Sequence, residues 1–208
     1  MTGRFITLEG GEGTGKSTQA RRLAAALEKN GLKVLTTREP GGSPGAEEIR
    51  GLLVNGAPAR WDPMPETLLL YAARADHVGR TIGPALLAGQ WVVCDRFSDS
   101  SFAYQGAGRG LTRETIRRID AVVLDDFKPD LTLVLDLEVE TGIARAMARG
   151  GAESRFEQFD RDFHERLRQA FIDIAKRNPD RCILIDASGS EDEVECAIWA
   201  QVARRFGL

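Results

Sequence analysis

One octapeptide constrains this chain more than any other feature. Gly10-Gly11-Glu12-Gly13-Thr14-Gly15-Lys16-Ser17 fits the pattern G-x4-G-K-[ST], with Thr18 next, and it lies between a short apolar run and a segment of helical periodicity. In that context the pattern reads as a phosphate-cradling loop at the start of a helix. The glycines let backbone N–H groups close around β- and γ-phosphate oxygens. Lys16 adds a point charge on those oxygens, and Ser17 offers a hydroxyl ligand for Mg²⁺.

A loop of this kind needs a strand before it and a helix after it. Five near-continuous apolar runs, Phe5–Glu9, Val34–Arg38, Trp91–Asp95, Leu131–Asp136 and Cys182–Asp186, read as strands buried on both faces. Helical periodicity follows Lys16 as far as Asn30-Gly31 and recurs over Pro65–Leu87, Thr112–Asp126, Glu138–Arg149, Glu157–Lys176 and Glu191–Arg205. The alternation predicts an α/β fold, a parallel sheet covered by helices. Glycines gather at Gly10–Gly15, Gly41–Gly45 and Gly106–Gly110, all in predicted loops. Ligands of such sheets sit beyond the carboxyl ends of the strands, where Glu9, Asp95, Asp136 and Asp186 stand.

The 208 residues fit a single domain, 1–208, able to bury a sizeable core. No window reaches about 18 uninterrupted apolar residues, and the N-terminus lacks a cleavage signal, so neither a membrane span nor secretion is expected. Three cysteines without metal-ligand spacing suit a reduced, cytoplasmic setting. A net charge of -3 argues against a nucleic-acid binder. The basic residues comprise 23 Arg and five Lys. Genomic base composition and phosphate binding by guanidinium forks both account for that bias, and only position separates them.

Asp95-Arg96 ends a hydrophobic strand, a Walker B-like arrangement in which Asp95 is able to hold Mg²⁺ or its water shell, or else caps the loop, and Arg96 would sit where two phosphates meet. Leu131–Asp136 and Cys182–Asp186 have the same look. Arg145 and Arg149 share a helical face, Gly150-Gly151 breaks that helix, and Arg155 follows. The cluster reads either as a lid over phosphates, about 145–157, or as a solvated basic face. His77 and His164 show no pattern for nucleophilic or metal chemistry and read as structural or surface residues.

Taken together, Glu9–Thr18, Arg38–Gly42 (REPGG), Glu47–Arg50, Tyr71–Arg74 (YAAR), Asp95–Arg96, Tyr104–Gly110 (YQGAGRG) and Pro129–Asp136 resemble the bacterial thymidylate kinases over nearly the whole chain. The resemblance implies a five-stranded parallel sheet with helices on both faces, a mobile lid, and a homodimer built on packed helices. It implies transfer of the γ-phosphate of ATP to dTMP, with Mg²⁺, in dTTP biosynthesis. Gly10 through Thr18, Arg145 from the lid and Ala187 on the adenine side would bind ATP. Glu12 would lie near the acceptor sugar. Arg38, Glu39 and Arg50 would line the acceptor phosphate and sugar, and Arg96 would bind the acceptor phosphate. Arg74, Ser101 and Gln105 would read the thymine edge, and Tyr104 would disfavour a ribose 2′-hydroxyl. Arg149 and Arg155 would act from the lid, as in the subtype whose phosphate loop has no Arg.

Two positions depart from the family. Leu70 stands where Phe often stacks on thymine, and Met147 stands where the lid can carry another Arg. A related kinase with a different acceptor is the alternative within enzymes. A GTPase switch is disfavoured because [NT]-K-x-D is missing and D-x-x-G occurs only at Asp186–Gly189.

Overall fold

The computed structural model describes residues 3–149 and 155–208, the Arg149 side chain excepted. Of the expected lid, residues 150–154 therefore lie outside the described residues. All five predicted strands form with the predicted bounds: β1 (Phe5–Glu9), β2 (Val34–Arg38), β3 (Trp91–Asp95), β4 (Leu131–Asp136) and β5 (Cys182–Asp186). They pair in parallel in the order β2-β3-β1-β4-β5. β1, β3 and β4 are buried nearly throughout, whereas β2 and β5 are only partly buried. The expectation of strands buried on both faces thus holds for the centre and fails at the edges, where one side lacks a neighbouring strand.

The helices are α1 (Lys16–Lys29), α2 (Pro44–Leu53), α3 (Pro63–His77), α4 (Gly83–Leu87), α5 (Ser98–Ser101), α6 (Arg113–Leu124), α7 (Val139–Arg149), α8 (Arg161–Arg177) and α9 (Glu191–Phe206). The periodic segment expected over Pro65–Leu87 is two helices joined by a widened turn at Val78–Ile82, and α8 begins only at Arg161. Asp160 caps α8 through its side chain on the Phe163 N–H (2.7 Å).

Two of the Gly-rich stretches are not wholly loops. Gly45 lies within α2, and Gly106 and Gly108 lie in a second widened helical stretch, Phe102–Gly108. Such wide turns frequently occur at functional sites. α2 had a signal in Ser43-Pro44, a cap followed by Pro at the first helical position.

α1 and α9 cover one face of the sheet, where Leu23, Leu27, Ile198 and Val202 meet Ile6, Leu8, Val93, Leu133 and Leu135. On the other face Phe5, Val92, Phe97 and Leu124 form one cluster, and Tyr104, Val134, Phe163, Leu167 and Phe171 form another. The same face carries a polar seam. The hydroxyls of Thr7 and Thr132 are 2.8 Å apart, and Arg181 bonds Thr132 (2.7 Å) and, bidentately, Asp99 (2.6 and 3.0 Å). Truncating a central residue such as Leu133 to Ala is expected to cost about 2–5 kcal/mol.

α3 has an unexpected orientation. Its apolar stripe, Leu68, Ala72 and Ala75, is exposed, whereas Glu66, Thr67, Tyr71, Arg74 and His77 are buried. A helix that turns its ionic residues inward is built to furnish a site as well as a core.

Candidate active site

The carboxyl ends of β1, β2 and β3 open into one cleft of about 620 Å³. Its phosphate-loop wall includes Glu12, Gly13, Gly15, Lys16, Ser17 and Thr18, and Arg38, Glu39, Arg50, Leu70, Arg74, Asp95, Arg96, Ser101, Tyr104 and Gln105 line the remainder. All nine residues assigned to the acceptor and six of the eleven assigned to ATP therefore meet in one place, whereas Gly10, Gly11, Thr14, Arg145 and Ala187 do not line this cleft.

α1 starts on Gly15 (φ 88°) with no side-chain cap, so its first-turn N–H groups are left for phosphate oxygens. Lys16 is buried and its Nζ reaches Gly11 O (2.5 Å) and Thr14 Oγ1 (3.2 Å). Desolvation, reinforced by the Arg96 charge, lowers its pKa to about 8. Thr14 in turn donates to Gly11 O at 3.1 Å. Gly10 (φ 138°) backs against Leu135 O, which a Cβ would approach to 2.5 Å. Gly13 (φ 68°) abuts α7, where a Cβ would fall 1.9 Å from Gly142 O.

The strand-end acids now separate. Ser17 Oγ donates to Asp95 Oδ2, so these two oxygen donors converge in the cleft. Asp136 is held by Arg168 (2.7 and 3.2 Å), and Asp186 accepts from Ser188 N (2.9 Å). An oxygen-only pair suits a hard cation such as Mg²⁺, which completes its shell with water and phosphate. Among the described residues no cluster of three His, Cys, Asp or Glu could hold a metal by itself.

Arg96 takes a left-handed backbone (φ 71°), a conformation that costs a non-Gly residue about 1–3 kcal/mol and gathers at functional sites. That turn brings its guanidinium back to Gly10 O (2.8 Å), Ser100 Oγ (3.3 Å) and Glu12 Oε1 (2.9 Å), 4.9 Å from the Tyr104 ring centre. Tyr104 donates to the same Glu12 oxygen at 2.6 Å. Burial alone would raise the Glu12 pKa, but Arg96, Lys16 and Tyr104 bring it down to about 2. Glu9, one of the strand-end acids, holds the β3–α5 turn: it accepts from Phe97 N (2.7 Å), Ser100 N (3.3 Å) and Ser100 Oγ (2.6 Å). Its burial, aggravated by Asp99, raises its pKa to about 7.

At the other end of the cleft, Arg74 is buried and donates to Glu39 Oε2 (2.7 Å), Ser101 Oγ (3.0 Å) and Phe97 O (3.2 Å). His77 Nδ1 lies 3.1 Å from Glu39 Oε1, and its Nε2 lies 2.7 Å from Thr37 Oγ1. His77 is thus a buried support for Glu39, not a surface residue. Arg50 donates to Pro40 O (2.6 Å), and Glu47 bonds Arg38 (3.2 Å) and Gly42 N (2.9 Å), which ties REPGG to α2. Gly42 (φ 86°) lies so close to His77 that a Cβ would come within 2.3 Å of its Nε2. Leu70 faces the cleft, while Tyr71 points into the core and donates to Asp120 (2.8 Å).

The lid differs from expectation. Arg155 is 1% exposed and does not line the cleft. It donates to Leu53 O (3.1 Å), Ala57 O (3.1 Å) and Pro58 O (2.7 Å) and pairs with buried Glu66 (2.5 Å). The reading of Arg155 as a cation over the phosphates is corrected: three carbonyls and a carboxylate hold it between α2 and α3. Arg145 Nη1 reaches Ala187 O (3.4 Å), which sets this lid-side arginine beside the residue assigned to the adenine side. The Arg149 side chain lies outside the described residues. Glu66 was not found from sequence, although it shares the i, i+4, i+8 face of Leu70 and Arg74.

Residues 8–198 match the family model described as thymidylate kinase. The thymidylate kinase of Caulobacter vibrioides is 56% identical over 206 residues, covering 99% of each chain. That of Magnetococcus marinus is 50% identical over 206 residues, covering 99% of this chain and 98% of the other. A crystal structure of thymidylate kinase from Ehrlichia chaffeensis superposes with a TM-score of 0.78 at 33% identity, covering 97% of this chain and 99% of the other.

Proposed function

The chain belongs to the thymidylate kinase family, and from that premise we propose how it transfers the γ-phosphoryl group of ATP to dTMP, giving dTDP and ADP. The observation that carries this reading is a single cleft with a phosphate loop at one end, the Glu39–Arg74–Ser101 cluster at the other and Arg96 against the loop.

ATP binds with its phosphates on Gly10–Thr18 and its adenine by Arg145 and Ala187. Lys16 and the first-turn N–H groups of α1 neutralise the β- and γ-oxygens. Ser17 and Asp95 would hold Mg²⁺, which would supply charge neutralisation for the phosphates. Arg38, Glu39 and Arg50 surround the acceptor sugar and phosphate. Leu70 lies on the base, Arg74, Ser101 and Gln105 face its edge, and Tyr104 with Glu12 borders the sugar. Arg96 brings acceptor phosphate and γ-phosphate together by donating to both. Phosphoryl transfer rests on such positioning and charge stabilisation more than on proton chemistry. With Arg155 committed elsewhere, Lys16, Arg96 and Arg149 are the cations assigned to the transferring group.

The chain acts as one kinase domain with residues 145–157 as its lid, and as a homodimer. The exposed α3 stripe supports the dimer, with Leu68 53% and Val122 of α6 87% exposed. The unpaired Cys94, Cys182 and Cys196 agree with a reducing cytoplasm. Among the described residues no helix is long and apolar enough to cross a membrane. ADP release measured with ATP, Mg²⁺ and a panel of nucleoside monophosphates tests the reading. dTMP is the expected best acceptor, and a higher kcat/KM for dCMP or a purine monophosphate would overturn it.

A further inference from the structure

Gln105 lines the cleft with Leu70, Arg74 and Ser101, yet it is 1% exposed. Its amide Nε2 donates to Glu66 Oε1 at 2.8 Å. Its Oε1 is buried and has no hydrogen-bond partner. Buried polar atoms are nearly always paired, so an orphaned acceptor in a ligand cleft marks a place where a ligand donates.

The orientation of that amide is not free. Glu66 is fully buried, and its other oxygen receives Arg155 (2.5 Å) and Arg109 (2.9 Å). A carboxylate clamped by two guanidiniums can only accept. Gln105 must therefore turn its NH₂ toward Glu66 and keep its oxygen for the other side. Arg74 is fixed in the opposite sense, since a guanidinium only donates. Glu39, Ser101 and Phe97 engage three of its five N–H groups, leaving two.

We propose that Glu66 is a specificity-determining positioning residue. By fixing the Gln105 amide it presents an acceptor to the base edge, beside the donors of Arg74. This inference rests on the dTMP reading above. The donor–acceptor pair matches a 4-oxopyrimidine, whose O4 accepts and whose N3–H donates. It mismatches cytosine at both positions, because there N4 donates and N3 accepts. Neutralising Glu66 lets the amide rotate and offer NH₂ to a cytosine N3. Arg74 still opposes N4, so discrimination weakens without vanishing. A site that leaves buried polar groups unpaired against the wrong substrate discriminates strongly.

The test is the ratio of kcat/KM for dTMP over dCMP in the full-length enzyme, with melting temperature recorded alongside. Glu66→Gln should lower the ratio at least tenfold, through a higher KM for dTMP and better use of dCMP, with kcat for dTMP within a few-fold. Gln105→Met, which removes the acceptor and leaves Glu66 paired to both arginines, should also lower it. Arg109→Met loosens the same network but spares the Glu66–Gln105 bond, so it should lower the melting temperature and leave the ratio unchanged. Should Glu66→Gln fail to fold, the double variant with Arg109→Met relieves one stranded guanidinium and carries the same expectation. An unchanged ratio in Gln105→Met overturns the proposal, as does an unchanged ratio in a folded Glu66 variant or an equal fall in Arg109→Met. A wild-type enzyme that does not favour dTMP instead overturns the functional reading on which it rests.

Discussion

Leu70 shows how one residue is read at two levels. From sequence it was a departure from a family that often stacks Phe on the base. The structure puts its side chain in the cleft and Tyr71 in the core on Asp120. Leu70→Phe is therefore expected to lower the KM for dTMP a few-fold, since offset stacking adds about 0.5–1.5 kcal/mol beyond burial. Its kcat and melting temperature should barely change, because the base is held equally in ground and transition states and the new ring faces the cleft. An unchanged KM with a drop in melting temperature would refute that placement. Glu9 makes a second prediction at this scale. Its pKa is raised from 4.5 to about 7, so the fold favours the protonated form. Stability from this group is fully present below about pH 4.5 and is lost as pH rises through 7. Glu9→Gln should melt at a temperature that gains on wild type by several degrees between pH 5 and pH 8. A gap that does not change with pH would show that Glu9 titrates normally.

At the scale of elements, two contacts tie neighbouring segments to the site. Arg155 joins the segment before α8 to the α2–α3 connection through Leu53, Ala57, Pro58 and Glu66. Removing one partner of a buried pair costs about 3–5 kcal/mol. Arg155→Ala is expected to lower the melting temperature and raise the KM for the acceptor. A large loss of kcat with unchanged stability would restore its role over the phosphates. The second contact is between the phosphate loop and α7, where a Cβ on Gly142 would come 2.5 Å from Glu12 O. Gly142→Ala must push the loop away from the helix that carries Arg145, so the KM for ATP should rise more than tenfold while far-ultraviolet circular dichroism stays native. A normal KM for ATP would mean the loop yields freely.

At the scale of the molecule, strands and phosphate loop were legible because they are encoded locally. Continuous apolar runs give parallel strands, and G-x4-G-K-[ST] allows little but a strand–loop–helix turn. What stayed hidden was encoded in pairings distant in sequence. Asp95, Asp136 and Asp186 look alike until Ser17, Arg168 and Ser188 select among them. Arg155 resembles a lid cation until Glu66, 89 positions earlier, claims it. Gly106–Gly110 reads as a loop in sequence because glycines weaken helical periodicity, while Gly106 and Gly108 owe their place in the widened helical stretch to packing on α8, where Gly108 meets Phe163.

A kinase cleft of this kind must couple two nucleotides. Phosphorus NMR of a mixture of ATP, Mg²⁺ and dTMP with catalytic amounts of enzyme follows every species at once. The prediction is one dTDP for each ADP, no ADP without dTMP, and neither product with a folded Lys16→Ala variant, since the Lys16 charge is the one the loop itself supplies to the phosphates. ADP accumulating with inorganic phosphate and no dTDP, or undiminished turnover by Lys16→Ala, would contradict it.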